Sequence, residues 1–216
     1  RDGTSWSQQA KLVAGDAATY DYFGKSVSIS GDYAVVGAEY DDDGATDSGS
    51  AYTFVRSGTS WSQQAKLVAG DAALGDHFGN SVSISGDYAV VGANSGKGSA
   101  YTFIRSGTSW SQQGKFVAGD AASNDFFGSS ISISGDYAVV GAWGDDDGGN
   151  NSGSAYVFKI GALQNAKLVA GDAATYDYFG NSVSISGDYA VVGAHGDDAG
   201  SAYIFVRDGT SWSQQA

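Results

Sequence analysis

Residues 26 to 38 read Ser26-Val27-Ser28-Ile29-Ser30-Gly31-Asp32-Tyr33-Ala34-Val35-Val36-Gly37-Ala38. Val27 and Ile29 alternate with serine, the period of a strand buried on one face. Gly31-Asp32 is a two-residue connection whose first position takes positive φ, as a tight hairpin requires. Tyr33 to Ala38 then forms a second strand, with adjacent Val35 and Val36 and a small Gly37-Ala38 end. The stretch therefore specifies an antiparallel β-hairpin.

The same run recurs at 81–93, 130–142 and 182–194, changed only at Ile131. A Phe-Gly pair precedes each copy, at Phe23-Gly24, Phe78-Gly79, Phe127-Gly128 and Phe179-Gly180, with spacings of 55, 49 and 52 residues. Downstream, a third strand is expected over 50–56 with Tyr52 and Phe54 on one face. A fourth, over 61–68, begins at Trp61 and alternates through Gln63, Ala65 and Leu67. Internal repetition takes precedence over the one or two domains that such a length suggests, because repeat units bury apolar faces against their neighbours. The modules are 1–68, 69–117, 118–169 and 170–216, the last truncated in its final strand. Small residues on one face and bulky ones on the other suit a sheet that stacks on both sides, so the fold class is all-β: tandem four-stranded antiparallel blades of β-propeller type, open or completed by oligomerisation.

Residues 1–10 are identical to residues 207–216. This reads as one period of a longer array plus the opening of the next, with a fourth-type strand expected over Trp6–Val13. Near-identical modules without an atypical cap tend to self-associate, as rings or as filaments.

The chain has 33 glycines and no proline, cysteine or methionine, and its acid is almost all aspartate, a turn-favouring residue; Glu39 is the one glutamate. A net charge of −13 disfavours nucleic acid and favours cations or cationic surfaces. No stretch approaches the ~20 apolar residues of a membrane-spanning helix. No serine stands in a nucleophile-elbow context, cysteine is absent, and His77 and His195 occupy different module positions, so neither a triad nor a repeated zinc site is expected.

The Phe-Gly pair, the Gly-Asp-Tyr-Ala-Val-Val-Gly-Ala segment and the Gly-Ser-Ala-Tyr-x-Phe segment together resemble the FG-GAP repeat, the blade unit of integrin-type β-propellers and of bacterial extracellular repeat proteins. The family's proline after Gly-Ala is replaced by Glu39, Asn94, Trp143 and His195. The resemblance implies four-stranded blades, an extracellular or cell-surface setting, and a non-enzymatic structural or adhesive role. A carbohydrate-binding propeller is the alternative, with a surface glycan or protein as partner.

The loops between second and third strands concentrate carboxylates among glycines. Asp41, Asp43 and Asp47 in the first module, Asp145 and Asp147 in the third and Asp197 and Asp198 in the fourth are candidate calcium ligands, being hard oxygen donors on a chain able to wrap. Module two carries only Asn94-Ser95-Gly96-Lys97-Gly98, so the fold itself requires no ion. The FG-GAP calcium motif lies one connection earlier, where this chain has only Gly-Asp. A solvated turn cluster is the competing reading. Asp16 and Asp21, with counterparts in each module, are expected to cap turns through backbone amides, with metal ligation the competing reading. Trp61 and Trp110, which recur in register, and Trp143, alone at a loop mouth, are candidate carbohydrate or partner contacts, against packing between blades.

Overall fold

The computed structural model describes residues 4–162 and 164–215. Among these residues sixteen strands form four separate sheets. The first contains β1 (Val27–Ser30), β2 (Tyr33–Ala38), β3 (Ser50–Ser57) and β4 (Ser60–Leu67). The second contains β5 (Phe78–Ser85), β6 (Tyr88–Ala93), β7 (Ser99–Ser106) and β8 (Ser109–Phe116). The third contains β9 (Ser130–Ser134), β10 (Tyr137–Ala142), β11 (Ser154–Lys159) and β12 (Gln164–Leu168). The fourth contains β13 (Ser182–Ser186), β14 (Tyr189–Ala194), β15 (Ser201–Asp208) and β16 (Ser211–Gln214).

Each sheet is an antiparallel meander in chain order. The hairpin register pairs Ser30 with Tyr33 across Gly31-Asp32, and Gly31, Gly86, Gly135 and Gly187 all take φ of 58°. Positive φ at the first turn position lets the connection follow the strand twist. In the first three sheets the ladder between third and fourth strands slips by one residue, leaving Gln64, Gln113 and Asn165 bulged. The bulge aims successive side chains of the outer strand at different neighbours.

The blades stack in sequence. The bulky face of each, with the Phe of Phe-Gly and the Tyr and Phe of the third strand, packs on the small Val-Ala face of the blade before it. Val35 and Ala51 thus meet Phe78, Ile84 and Phe103 in one core, and the two following interfaces repeat the arrangement. Phe78, Phe127 and Phe179 lie edge-on to the third-strand rings of their own blades. Inner strands are joined by serines that accept backbone N–H bonds from the next blade: Ser28 Oγ from Ile84, Ser83 Oγ from Ile133 and Ser132 Oγ from Ile185, each at 3.1 Å. Alternation therefore does two jobs on one strand, with Val and Ile turned to the preceding blade and serine to the following one.

The strand expected over Trp6–Val13 is not formed; those residues have no regular secondary structure. A fourth strand needs the third strand of its own sheet as ladder partner, and none of the described strands pairs with this segment. Leu12 and Ala14 instead lie against the first blade's core. No helix among the described residues is long and apolar enough to cross a membrane.

Candidate functional site: an aspartate clasp closed by lysine

Lys66 stands opposite Tyr52 across β3 and β4, and the same register sets Lys115 against Tyr101 and Lys167 against Tyr156. Cross-strand partners share a face, so each lysine runs along its tyrosine ring, with Nζ 5.0–5.2 Å from the centroid. In the first blade Lys66 Nζ lies 2.9 Å from Asp16 Oδ2 and 2.9 Å from Asp41 Oδ2, and also bonds Asp43. Asp41 is buried; its carboxylate further accepts bonds from Tyr52 Oη at 2.8 Å, Ser50 Oγ at 2.9 Å and the Asp43 amide at 3.1 Å.

The third blade repeats this set. Lys167 Nζ is 2.7 Å from Asp120 and 3.1 Å from Asp145 and bonds Asp147, with Tyr156 Oη 2.8 Å from Asp120 and 2.9 Å from Asp145. Blade two keeps a reduced form, Lys115 to Asp71 at 2.8 Å. In blade four Tyr203 Oη bonds Asp172 at 2.9 Å and Asp197 at 2.7 Å, and no lysine among the described residues joins them.

The electrostatics follow from burial opposed by pairing. Burial pushes the Asp41 carboxyl up, but bonds from Lys66, Tyr52, the Asp43 amide and Ser50 outweigh it and hold the group below the ordinary carboxylate value. Asp120 behaves alike, with Lys167 and Tyr156 outweighing burial, while at Asp16 the Lys66 bond is the main cause of the lowering. Burial disfavours the charged ammoniums, yet the carboxylates around Lys66 and Lys167 raise both well above an ordinary lysine.

Asp16, Asp41 and Asp43, and likewise Asp120, Asp145 and Asp147, each bring carboxylate oxygens within 4.8 Å of one another, a donor set suited to a divalent cation. A lysine ammonium already stands in each. Of the residues expected as ligands, Asp41, Asp43, Asp145 and Asp147 are brought together in this way. Asp47 lies outside the group; its amide is bonded by Asp42 Oδ1 at 2.8 Å. Asp197 meets Tyr203, and Asp198 belongs to neither three-carboxylate group. Sequence reasoning favoured turn capping for Asp16 and Asp120, which the structure places in these groups, and missed the part played by the lysines. The paired aspartates divide their work. Asp21, Asp76, Asp125 and Asp177 accept the backbone amide three residues upstream, at 2.6–2.8 Å, as turn caps. Asp16, Asp71 and Asp120 bond lysine, and Asp172 bonds Tyr203.

The FG-GAP repeat model matches residues 6–54, 61–103, 110–158 and 163–205. The chain belongs to the FG-GAP repeat family. No curated protein matches it. FG-GAP membership places the chain in a non-catalytic structural family, and the geometry explains why its FG-GAP modules keep the Phe-Gly pair. Gly79, Gly128 and Gly180 have φ of 93°, 92° and 88°, and a Cβ on any of them would lie within 2.2–2.4 Å of the carbonyl oxygen of Ser50, Ser99 or Ser154 in the preceding blade. The preceding blade reciprocates with Gly49, Gly98 and Gly153, which form parallel bridges to Phe78, Phe127 and Phe179. Each FG-GAP junction is thus a backbone-to-backbone contact that only glycine permits.

The tryptophans of the FG-GAP outer strands face their neighbours. Trp61 Nε1 donates to Gln9 Oε1 at 3.0 Å and Trp110 Nε1 to Gln64 Oε1 at 2.8 Å. Trp143 stacks on Phe126 with ring centroids 4.4 Å apart and meets the edge of Tyr178, which stacks on His195. Trp143 is therefore one member of an aromatic row at the loop end rather than an isolated ring.

Proposed function

We propose that this FG-GAP chain is an extracellular or cell-surface scaffold, rigid and acidic, that serves adhesion or the build-up of a surface layer. The clasp is the observation that carries the reading. In blades one and three its charges tie the connection entering the blade to the blade itself, so these side chains are committed to holding the array together. Lys66 and Lys167 are the resident cations of their carboxylate groups, and calcium is not required for the fold. A net charge of −13 keeps neighbouring arrays apart until specific contacts join them. The family's usual setting supports the surface location. Immunolabelling of intact source cells with an antibody to this chain should decorate the exterior before permeabilisation; signal confined to permeabilised cells would refute the location and with it the adhesive role.

A second reading, glycan contact, is favoured by Tyr20 and Tyr176. These rings are exposed and sit at φ of 77° and 69°, whereas the second module places Gly75 at the same register. A tyrosine held there against a conformational cost of about 1–2 kcal/mol points to a use for the ring. Binding on a glycan array that disappears in Tyr20→Ala/Tyr176→Ala, with melting unchanged, would establish this reading, and a blank array would remove it.

A further inference from the structure

The outer hairpins of the first, second and fourth sheets each pair an arginine with a tryptophan across the strands: Arg56 with Trp61, Arg105 with Trp110 and Arg207 with Trp212. Two of these pairs cover the outer part of the blade before them. Trp110 packs with Tyr33 and Ala65, and Trp212 with Tyr137 and Ala166. The Arg105 and Arg207 guanidiniums lie over the same two tyrosines, 3.9 and 4.3 Å from the ring centroids, and each bonds the inner-turn aspartate of its own blade, Asp87 or Asp188. The third sheet has neither residue. Ile160 stands at the arginine position, its amide bonding the Asp136 carbonyl as that of Arg105 bonds Asp87. Residues 160–163 then fill the place that 105–111 fill in the second sheet, and the tryptophan is lost with the shortening.

Between the second and third blades this leaves a hollow of about 320 Å³, lined by Tyr88, Thr102, Gln113 and Gly114 on one wall and by Ile160 and Ala162 on the other. Its volume sits at the small end of ligand sites, roughly 300–1,000 Å³. Ile160 reaches the core beside Tyr88, and no other residue of its hairpin joins it among the described residues. Three features of the hollow have no counterpart. Gln113 is the equivalent of Gln64, whose Oε1 accepts from Trp110 Nε1 at 2.8 Å; here Nε2 donates to Ser111 Oγ at 3.2 Å and Oε1 accepts no bond among the described residues. Tyr88 has no cation over its ring among the described residues, and Asp136, the equivalent of Asp87, has only Lys159, at 3.5 Å. Gly114 replaces Ala65 and Ala166 although its backbone does not call for glycine: a Cβ there would meet only Thr102 Oγ1, at an ordinary 3.5 Å. The missing methyl widens the hollow.

We infer that this hollow is a binding site for a small indole amine, a flat aromatic with a ring N–H and a cationic arm. The ring takes the place that Trp110 holds one blade earlier, against Tyr88 and Gly114, and donates its N–H to Gln113 Oε1. The ammonium takes the place of the arginine, between the Tyr88 face and the Asp136 carboxylate. A cation over an aromatic face is attracted by the ring, more strongly as water is excluded, and the net charge of −13 gathers cations around the chain. An anionic indole gains neither term. Both walls belong to interior blades, and the site is independent of the scaffold role.

Equilibrium dialysis of the whole chain against tryptamine tests it, in about 0.15 M salt so that diffuse attraction is screened. One site per chain is expected, with a Kd on the order of 100 μM, within reach of a ligand of about a dozen heavy atoms. Indole-3-propionate has the same ring and the opposite charge, and phenethylamine has the charge without the ring N–H; each should bind at least about fivefold more weakly. Replacing residues 160–163 by the Arg-Ser-Gly-Thr-Ser-Trp-Ser of 105–111 gives the hollow an indole of its own and should abolish uptake. Gln113→Met alters one exposed side chain, so it tests the N–H bond whether or not that graft folds, and it should weaken tryptamine about fivefold. No uptake at about 1 mM tryptamine, uptake unchanged in the folded graft or in Gln113→Met, or equal uptake of either control would overturn the assignment. Capture of the peptide Arg-Ser-Gly-Thr-Ser-Trp-Ser more than about tenfold tighter than tryptamine would overturn it too, giving the hollow to a segment of another protein.

Discussion

Asn165 Oδ1 and Trp212 Nε1 are both buried without a hydrogen-bond partner. They occupy the register in which Gln64 accepts from Trp110 at 2.8 Å, and Asn165 is the bulged residue of its ladder as Gln64 is of its own. Asparagine is one methylene shorter than glutamine, so the carboxamide stops short of the indole and both atoms are orphaned. Asn165→Gln should restore the bond. A net hydrogen bond contributes about 0.5–1.5 kcal/mol, and an unsatisfied buried polar atom costs about 1–3 kcal/mol. Ordering the longer side chain takes back up to about 1 kcal/mol. The variant should therefore gain about 1–2 kcal/mol, a rise in Tm of roughly 2–8 °C for a chain of this size. Thermal unfolding followed by tryptophan fluorescence measures it. Trp212→Phe supplies the control, because the gain must vanish when the N–H is removed. An unchanged Tm, or an equal gain in the Trp212→Phe background, would refute the reach argument.

Lys66→Met leaves buried Asp41 facing Asp16 and Asp43 without a cation; a loss of about 3 kcal/mol is expected in urea unfolding, the lower end of the range for breaking a buried pair. The same variant should acquire calcium uptake by calorimetry that the wild type lacks, and equal uptake by both would count against lysine as the resident ion. The lowered carboxyls of Asp16, Asp41 and Asp120 contribute stability that is present above the ordinary aspartate value of about 3.9 and is lost as pH falls through their folded values. Wild-type stability should thus be level from about pH 5 to 7 and drop below about pH 4, whereas Lys66→Met should gain stability as the pH falls towards 4. Gly24→Ala and Gly79→Ala change the same motif position at φ of 94° and 93°, but only the second drives a Cβ to within 2.2 Å of a carbonyl oxygen. The first should cost monomer stability about 1–2 kcal/mol and the second at least about 2 kcal/mol more; similar losses in urea unfolding would show that backbone conformation alone fixes the glycine.

The hairpin was legible in the sequence because its causes are local. Alternation along Val27 to Ser30 and the Gly31-Asp32 turn leave the chain few options, and four copies remove the rest. The two-sided stacking followed from the same periodicity. The Phe-Gly glycine was legible only as a marker, because its reason lies in a carbonyl of another blade. The acidic loops were read from proximity along the chain, which grouped Asp47 with Asp41. In space Asp42 turns to cap the Asp47 amide, and the partner of Asp41 is Asp16, a quarter-turn of sequence logic away in the connection that enters the blade. One signal did point there. Lysine recurs at 11, 66, 115 and 167, always five residues before an aspartate, and Lys66, Lys115 and Lys167 lie in outer strands with tyrosine opposite them. A basic residue kept in register within so acidic a chain marks a charge that the fold consumes. The expected strand at Trp6–Val13 fails for the converse reason. Its pattern is that of β4, but a pattern supplies only one side of a ladder, and here the other side must come from a neighbouring blade.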